Sequence, residues 1–346
     1  MARPVSSEIR TYASTLSRIG WALVIFFVLF LPCSIASISI PLLAEELWGS
    51  FWADIGESIV SPVAYMLPFF AAGILYFVFS RKYTTERISL EVKLPAVSPL
   101  LILAGLAVIT VSAYINSFFC DLISYEMPND LFGTAYDNPH AVILYMSMAL
   151  APAFAEEFLF RGVIFSQLRP FGRRQAILIS AGLFALMHQN IGQIIYTFAA
   201  GIVLALMYEL TGSIWCGVIC HLVNNEIAVA TEVLYYGRFG ESMEPFLIAW
   251  DIAVCVLGIG AFIFLVFHYR KKIRRVQSSD GMLGQNVFGS LHELPAYARQ
   301  DREALPTKAL VKGFLSPGMI LFTVMAVLSM GLTYLTVVLG LLGGTV

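Results

Sequence analysis

The chain has 346 residues, of which 58% are hydrophobic and only 13% are charged, and its formal net charge is −2 at pH 7. A soluble domain averages about 45–50% apolar and about 25% charged residues. The composition therefore excludes an ordinary soluble protein and predicts an all-α polytopic helical bundle whose main partner is the lipid bilayer. The sequence has no phosphate-binding loop, dinucleotide fingerprint or nucleic-acid motif, so no nucleic-acid partner is expected.

Hydrophobic segments follow one another along the chain, and a helix that crosses the bilayer needs about 20 mostly apolar residues. The first segment is too long for the apolar core of a signal peptide, so it is interpreted as a retained span. The fifth is short and is separated from the sixth only by a polar patch, which favours a tilted or partly re-entrant helix. About 8–9 transmembrane helices are therefore expected. The nine segments are 20–43, 58–80, 97–119, 141–167, 176–190, 192–210, 213–236, 246–269 and 317–342.

The orientation of the bundle is predicted by its lysine and arginine residues. If the N-terminus is cytoplasmic, 19 of the 21 basic residues fall in the inner segments, and only Arg161 and Arg238 do not. Cytoplasmic loops of membrane proteins carry this excess of positive charge. We therefore expect the N-terminus and the loop 270–316 in the cytoplasm. The inner segments are 1–19, 81–96, 168–175, 211–212 and 270–316.

The distribution of polar residues divides the chain into three parts. Residues 1–140 contain three spans, and residues 237–346 contain the last helices with the cytoplasmic loop 270–316. The middle part, 141–236, contains four helices and the polar groups that are suited to chemistry. This part is predicted to contain the functional site, and the family resemblance described below implies that it is the catalytic core.

Three ionisable residues lie inside the fourth predicted span. A charge at the bilayer centre costs about 2.5–3.5 kcal/mol, and such residues are functional by default. Glu157 and Arg161 are four residues apart, so they share a helix face and are expected to form a structural pair. Glu156 is rotated from Glu157 by about 100° and is left to act as a general base. Glu209, near a predicted span end, is expected to reach the solvated interface.

Further polar residues lie on the fifth and seventh predicted spans. His188 is on the fifth, and His221 and Asn225 lie four residues apart on one face of the seventh. Counted from the predicted cytoplasmic ends, Glu156, His188 and His221 lie about 12–18 Å below the inner surface. If their helices are neighbours, these groups meet in one layer of the membrane.

This constellation is consistent with two ways of hydrolysing an amide. A glutamate and a histidine could activate a water molecule, while a second histidine and an asparagine donate hydrogen bonds to the oxyanion. Alternatively, Glu156, His188 and His221 could ligate zinc and leave a position open for water. The familiar metalloprotease helix motif is absent, and Ser180 has no obvious base near it in sequence.

Two alternatives to an enzyme are also open. Glu and His inside a membrane are typical of proton relays, which would make the protein a proton-coupled transporter. No second half of the chain resembles the first, which counts against the inverted repeats common in transporters. The third alternative is a non-catalytic immunity or scaffold protein that acts through its helix surfaces.

Three motifs resemble those of a known family of membrane proteases. They are Glu156-Glu157-Phe158-Leu159-Phe160-Arg161, Phe184-Ala185-Leu186-Met187-His188 and His221-Leu222-Val223-Asn224-Asn225. In order and spacing they resemble the motifs of the CPBP family, the CAAX-protease and bacteriocin-processing intramembrane proteases, also called type II CAAX endopeptidase-like or Abi proteins. The resemblance covers about residues 141–236.

The resemblance implies a role for each motif residue. Glu156 and His188 would activate water, His221 and Asn225 would stabilise the oxyanion, and Glu157 with Arg161 would brace the site. Descriptions of the family differ on whether a metal is bound. If one is, a single divalent ion, zinc first, would be held by Glu156, His188 and His221.

The resemblance also implies what the substrate would be. It would be a hydrophobic peptide or a membrane-anchored protein, cut within the membrane toward the cytoplasmic side. The eukaryotic branch of the family removes the last three residues of prenylated CAAX proteins, whereas bacterial members are linked to bacteriocin self-immunity and peptide maturation. The location expected here is a bacterial plasma membrane, and the sequence leaves the oligomeric state open.

Overall fold

The computed structural model describes residues 5–80, 92–125, 139–234, 240–280 and 307–338. Within these ranges the chain is helical apart from short connections and contains no strand. Seven of the described helices are long and apolar enough to cross a membrane. This confirms the prediction of an all-α polytopic bundle, and the protein is an integral membrane protein.

The helices follow one another with few intervening residues. Candidate membrane spans lie in α1, α2, α3, α7, α8, α9 and α11. Short 3₁₀ turns occupy Arg169–Phe171, Ile191–Gln193 and Gly240–Met243, and a π-helix occupies Phe158–Phe165. The α-helices are α1 (Val5–Trp48), α2 (Ser50–Ser80), α3 (Ser98–Leu122), α4 (Pro139–Glu157), α5 (Ser166–Leu168), α6 (Arg173–Met187), α7 (Ile194–Thr211), α8 (Ile214–Glu232), α9 (Glu244–Asp280), α10 (Thr307–Phe314) and α11 (Pro317–Val338).

The first two helices form a long hairpin. The predicted first span, 20–43, is only part of α1, which has 44 residues and is therefore about 66 Å long. The hairpin turns at Gly49, whose φ of +92° is a conformation that glycine adopts without steric cost. Pro32 and Pro41 lie inside α1, and membrane helices tolerate proline where neighbouring groups satisfy the freed backbone.

The fourth and fifth predicted spans differ most from simple membrane helices. The segment 141–167 was expected to be one α-helix, but α4 passes into the π-helix at Phe158. The segment 176–190 corresponds to α6, which has 15 residues and is about 22 Å long, too short to cross the bilayer alone. Since α6 ends at Met187, His188 lies at its C-terminal end rather than inside a span.

The segment 270–316 contains more helix than a linker would. Helix α9 continues to Asp280, and α10 packs against α1, with Ala309 fully buried. Residues 281–306 of this loop lie outside the described residues. Helix α11 then crosses α1 where Gly20 and Gly318 meet, and a Cβ atom on Gly20 would collide with the Gly318 backbone. The last helix is therefore held tightly to the first.

The buried position of Glu209 differs from the predicted one. Glu209 was expected to reach the solvated interface, but its side chain is buried and pairs with Arg169 at 2.8 Å and with Arg173 at 3.1 Å. The three side chains connect the end of α7 to the 3₁₀ turn at Arg169 and to the start of α6 at Arg173. The prediction was wrong because the turn and the start of α6 supply two partners for the carboxylate.

Candidate active site

The ion pair between Glu157 and Arg161 lies at the centre of the bundle. The two side chains are fully buried, and Nη1 of Arg161 lies 2.6 Å from Oε1 of Glu157. Nη2 of Arg161 donates a hydrogen bond of 3.0 Å to the carbonyl of Gly201, and the guanidinium lies 4.7 Å from the centre of the Phe184 ring. The predicted structural pair is therefore formed, and it connects the fourth span with α6 and α7.

Two glycines make room for this pair. A Cβ atom on Gly217 of α8 would lie 2.9 Å from Oε2 of Glu157, and one on Gly201 of α7 would lie 2.8 Å from Cα of Ala181. Both distances are shorter than real Cβ contacts. The close approach of α6, α7 and α8 around the ion pair therefore requires glycine at both positions.

Glu156 has a different environment from Glu157. Its Oε1 accepts a hydrogen bond from the hydroxyl of Tyr65 on α2. Its Oε2 is buried and accepts no hydrogen bond from any residue that the structure describes. The side chain is only 4% exposed, yet it lies on the wall of a cavity. One carboxylate oxygen is therefore fixed and the other is left for a ligand or a water molecule.

His221 on α8 lies between the two glutamates. Its Nδ1 is 3.3 Å from Oε1 of Glu157, and its Nε2 is 3.8 Å from Oε2 of Glu156. The ring is 7% exposed. Since a carboxylate only accepts hydrogen bonds, the Nδ1 atom carries the proton in this contact. Glu157 thus orients His221 so that Nε2 faces Glu156.

His188 is oriented by its own helix. Its Nδ1 lies 2.8 Å from the carbonyl oxygen of Phe184, which fixes the proton on Nδ1 because a carbonyl only accepts. In the neutral ring, Nε2 then has a free lone pair. The Phe184 ring meets His188 and His221 edge-on, with centroids 4.7 and 6.0 Å away. Phe184 therefore separates the two histidines and packs against both.

A cavity of about 320 Å³ contains part of this constellation. Glu156 and His188 both line it, whereas His221 and Asn225 are not among its lining residues. A second cavity, of about 560 Å³, lies beside it and shares Phe30 and Tyr65 as wall. The residues that line the first cavity are Phe26, Phe30, Tyr65, Phe69, Glu156, Phe160, Met187, His188, Gln189, Asn190 and Thr333.

Asn225 is held through its neighbour. Its Oδ1 accepts a hydrogen bond of 3.3 Å from Nδ2 of Asn224, and the same Nδ2 donates to the hydroxyl of Tyr196 at 2.5 Å. Asn224 therefore connects α8 to α7. The Asn225 side chain lies one helical turn beyond His221 and is partly buried.

Two possible nucleophiles are occupied in other ways. Ser180 is fully buried, and its hydroxyl donates a hydrogen bond of 3.2 Å to the carbonyl of Phe160 in the π-helix. This bond satisfies a carbonyl next to the α-to-π transition. Cys220 is fully buried and packs in the hydrophobic core. Neither side chain faces the cavity.

Glu156, His188 and His221 are the side chains that a metal ion would need as ligands at this site. The Nδ1 contacts of both histidines resemble the outer hydrogen bonds that orient metal-binding imidazoles. Among the described residues, however, no three side chains of His, Cys, Asp or Glu are gathered closely enough to hold an ion. The arrangement of Glu156, His188 and His221 therefore does not fit a metal site.

Tyr65 is a site residue that sequence reasoning missed. It lies in the predicted second span, outside every motif. Its hydrogen bond to Glu156 arises from the packing of α2 against α4. A weak signal was present, because a tyrosine in the interior of a membrane helix needs a partner for its hydroxyl. Nothing in the sequence indicated that the partner would be Glu156.

The fold and the site together define a polytopic membrane protein with a glutamate and a histidine on the wall of one cavity. Residues 138–227 match the model of the family described as type II CAAX prenyl endopeptidase Rce1-like. This confirms the resemblance drawn from the three motifs and indicates an intramembrane endopeptidase. Comparison with the curated proteins and with the solved structures found no match.

Proposed function

We propose that the protein hydrolyses a peptide bond of a hydrophobic peptide or membrane-anchored protein with a water molecule activated by Glu156 and His188. The observation that carries this proposal is the difference between the contacts of the two adjacent glutamates. Arg161 and His221 both contact Oε1 of Glu157, and Glu157 does not line the cavity. Glu156 does line it, together with His188, and its Oε2 accepts no hydrogen bond within the described part of the chain.

The proposed reaction starts with proton transfer from water. Oε2 of Glu156 accepts the proton, Nε2 of His188 accepts a hydrogen bond from the same water, and the resulting hydroxide adds to the scissile carbonyl carbon. The C–N bond then breaks, and Glu156 returns the proton to the leaving amine. Tyr65 holds Oε1 of Glu156 during these steps, so the carboxylate keeps its orientation.

The developing oxyanion needs donors, and His221 and Asn225 are proposed for this role. As an imidazolium, His221 donates through Nδ1 to Glu157 and retains Nε2–H for the oxyanion. The second donor would be the Nδ2 amide of Asn225, because its Oδ1 already accepts from Asn224. Since neither residue lines the cavity, the substrate carbonyl has to reach past Glu156 to meet them.

The substrate class and the membrane side are part of the proposal. Basic residues predict a cytoplasmic N-terminus, and the family resemblance implies a bacterial plasma membrane. With that orientation, Glu156 lies 12 residues from the inner end at Leu168, about 18 Å deep. A scissile bond at this depth belongs to a segment that enters the bilayer. A prenylated C-terminal peptide and a transmembrane segment both meet this requirement.

The test is cleavage by purified protein in proteoliposomes, followed by mass spectrometry of the products. The substrates are a farnesylated CAAX peptide, its unprenylated form and a transmembrane peptide. Glu156→Gln and His188→Ala are expected to lose cleavage of whichever peptide the parent protein cuts. Glu57→Gln and His268→Ala, which change exposed residues far from the site, serve as matched controls. Cleavage by Glu156→Gln at the parental rate would refute the proposed base.

A further inference from the structure

The C-terminal helix α11 reaches the candidate active site from outside the part of the chain that matches the family. The Ser329 hydroxyl donates a hydrogen bond to Oε1 of Gln189, the residue that follows His188. One turn later, Thr333 lines the same cavity as Glu156 and His188. The family match ends at residue 227, so this contact is an addition to the matched domain.

The turn that α11 touches has an unusual backbone. Gln189 has a φ of +53°, a left-handed conformation that is uncommon for residues other than glycine and asparagine. A residue with a Cβ atom adopts it only at a steric cost. The amides of His188 and Gln189 donate to the carbonyls of Ala185 and Leu186 at 3.3 and 3.2 Å. The left-handed residue therefore ends α6 at the point where it presents His188.

Further contacts hold the same turn from its other side. Tyr125, which follows α3, donates from its hydroxyl to Oδ1 of Asn190 at 2.9 Å. The Tyr125 ring stacks on the ring of Tyr334 in α11, with centroids 6.0 Å apart. Helix α11 is itself fixed to α1 by the close crossing of Gly20 and Gly318. The turn is thus held by a helix whose own position is rigidly defined.

We propose that Ser329 is a positioning residue that holds the turn 188–190 in its left-handed conformation and so fixes the His188 ring at the cavity. Helix α11 thereby completes the active site of the matched domain. The Gln189 side chain is the connection, because its Oε1 accepts from Ser329 while its Nε2 donates to the Met187 carbonyl at 3.5 Å. The catalytic consequence rests on the proposed function of His188. The clamp, which is the hydrogen-bonded contact between Ser329 and Gln189, does not depend on that function.

The clamp is tested without any substrate by hydrogen–deuterium exchange of the full-length protein in detergent. Ser329→Ala is expected to speed amide exchange in peptides covering 188–193 by about 3- to 10-fold, the loss of one net hydrogen bond. The matched control is Thr336→Ala on the same helix, because its hydroxyl donates to the Thr333 carbonyl of that helix and, among the described residues, to no part of the turn. The amides of the turn in this control should exchange at the parental rate. Ser329→Thr keeps a hydroxyl at position 329, so its turn should also exchange at the parental rate.

A second variant removes the acceptor instead of the donor. Gln189→Leu should raise exchange in the turn as Ser329→Ala does, and the double variant should be no faster than either single one. If Ser329→Ala does not fold, amide exchange in Gln189→Leu alone tests the clamp. Parental exchange in either single variant, or additive effects in the double variant, would overturn the clamp.

The catalytic part is tested with the peptide that the parent protein cleaves. Ser329→Ala should lower kcat by about 3- to 10-fold with little change in KM, because positioning of His188 affects the chemical step more than substrate binding. Unchanged kcat together with faster exchange would overturn the catalytic role of the clamp. If no peptide is cleaved by the parent protein, the exchange result stands alone and the failure belongs to the proposed function.

Discussion

Tyr65 on α2 donates a hydrogen bond to Glu156 on α4, across an interface between the N-terminal helices and the family-matched domain. The two residues are 91 positions apart in the chain. Tyr65 also forms part of the wall between the two neighbouring cavities. The side chain that contacts the proposed base therefore lines both cavities.

Tyr65→Phe is expected to lower kcat by about tenfold or more without unfolding the protein. A hydrogen bond to a charged group is worth about 1.5–3 kcal/mol, and its loss lets the Glu156 carboxylate rotate away from the water. The measurement is peptide cleavage with thermal unfolding recorded in parallel. Tyr76→Phe removes a buried hydroxyl from the same helix away from the site and should keep parental kcat. Equal losses in both variants would argue against a specific role for Tyr65.

Glu157→Gln is expected to destabilise the fold by about 3–5 kcal/mol, because it leaves the buried Arg161 without a counter-charge. The double change Glu157→Gln with Arg161→Met should recover part of this loss, since no buried charge remains unpaired. Thermal unfolding in detergent measures both. If the double variant were less stable than Glu157→Gln, the pair would not be the main cause of the loss.

Local helical geometry explains what could be predicted from the sequence. The pair of Glu157 and Arg161 follows from their four-residue spacing, and the separate position of Glu156 follows from the rotation per residue. Both features survive the change from α- to π-helix at Phe158. The nine apolar segments also correspond to helices, because bilayer-crossing chains have few other ways to satisfy their backbone.

Long-range packing explains what could not be predicted. The partners Ser329 and Gln189 are 140 residues apart, and nothing in either local sequence indicates the other. The burial of Glu209 likewise depends on a turn that brings two arginines over the end of α7. Such contacts depend on how helices are arranged, which apolar periodicity in a membrane does not encode, since lipid-facing and core-facing residues are both hydrophobic.

Gly201→Ala is expected to lower both stability and cleavage. The added Cβ would lie 2.8 Å from the backbone of Ala181, so α6 and α7 have to move apart at the place where the Gly201 carbonyl accepts from Arg161. Overpacking of this kind costs about 1–3 kcal/mol. Gly260→Ala on α9 is the matched control, since its Cβ would meet nothing within 4 Å. A Gly201→Ala protein as stable and active as this control would contradict the tight packing of α6 on α7.

Elemental mass spectrometry of the detergent-purified protein is expected to find no stoichiometric zinc. The reason is geometric, because the described His, Cys, Asp and Glu side chains do not gather in a group that could hold an ion. Glu156→Ala, His188→Ala and His221→Ala should therefore contain the same trace amounts as the parent protein, and a zinc chelator should leave cleavage unchanged. About one zinc per parental chain, lost in all three variants and restored by adding zinc to the parent alone, would reassign these side chains as ligands. It would also mean that the helices carrying them move closer together when the ion binds.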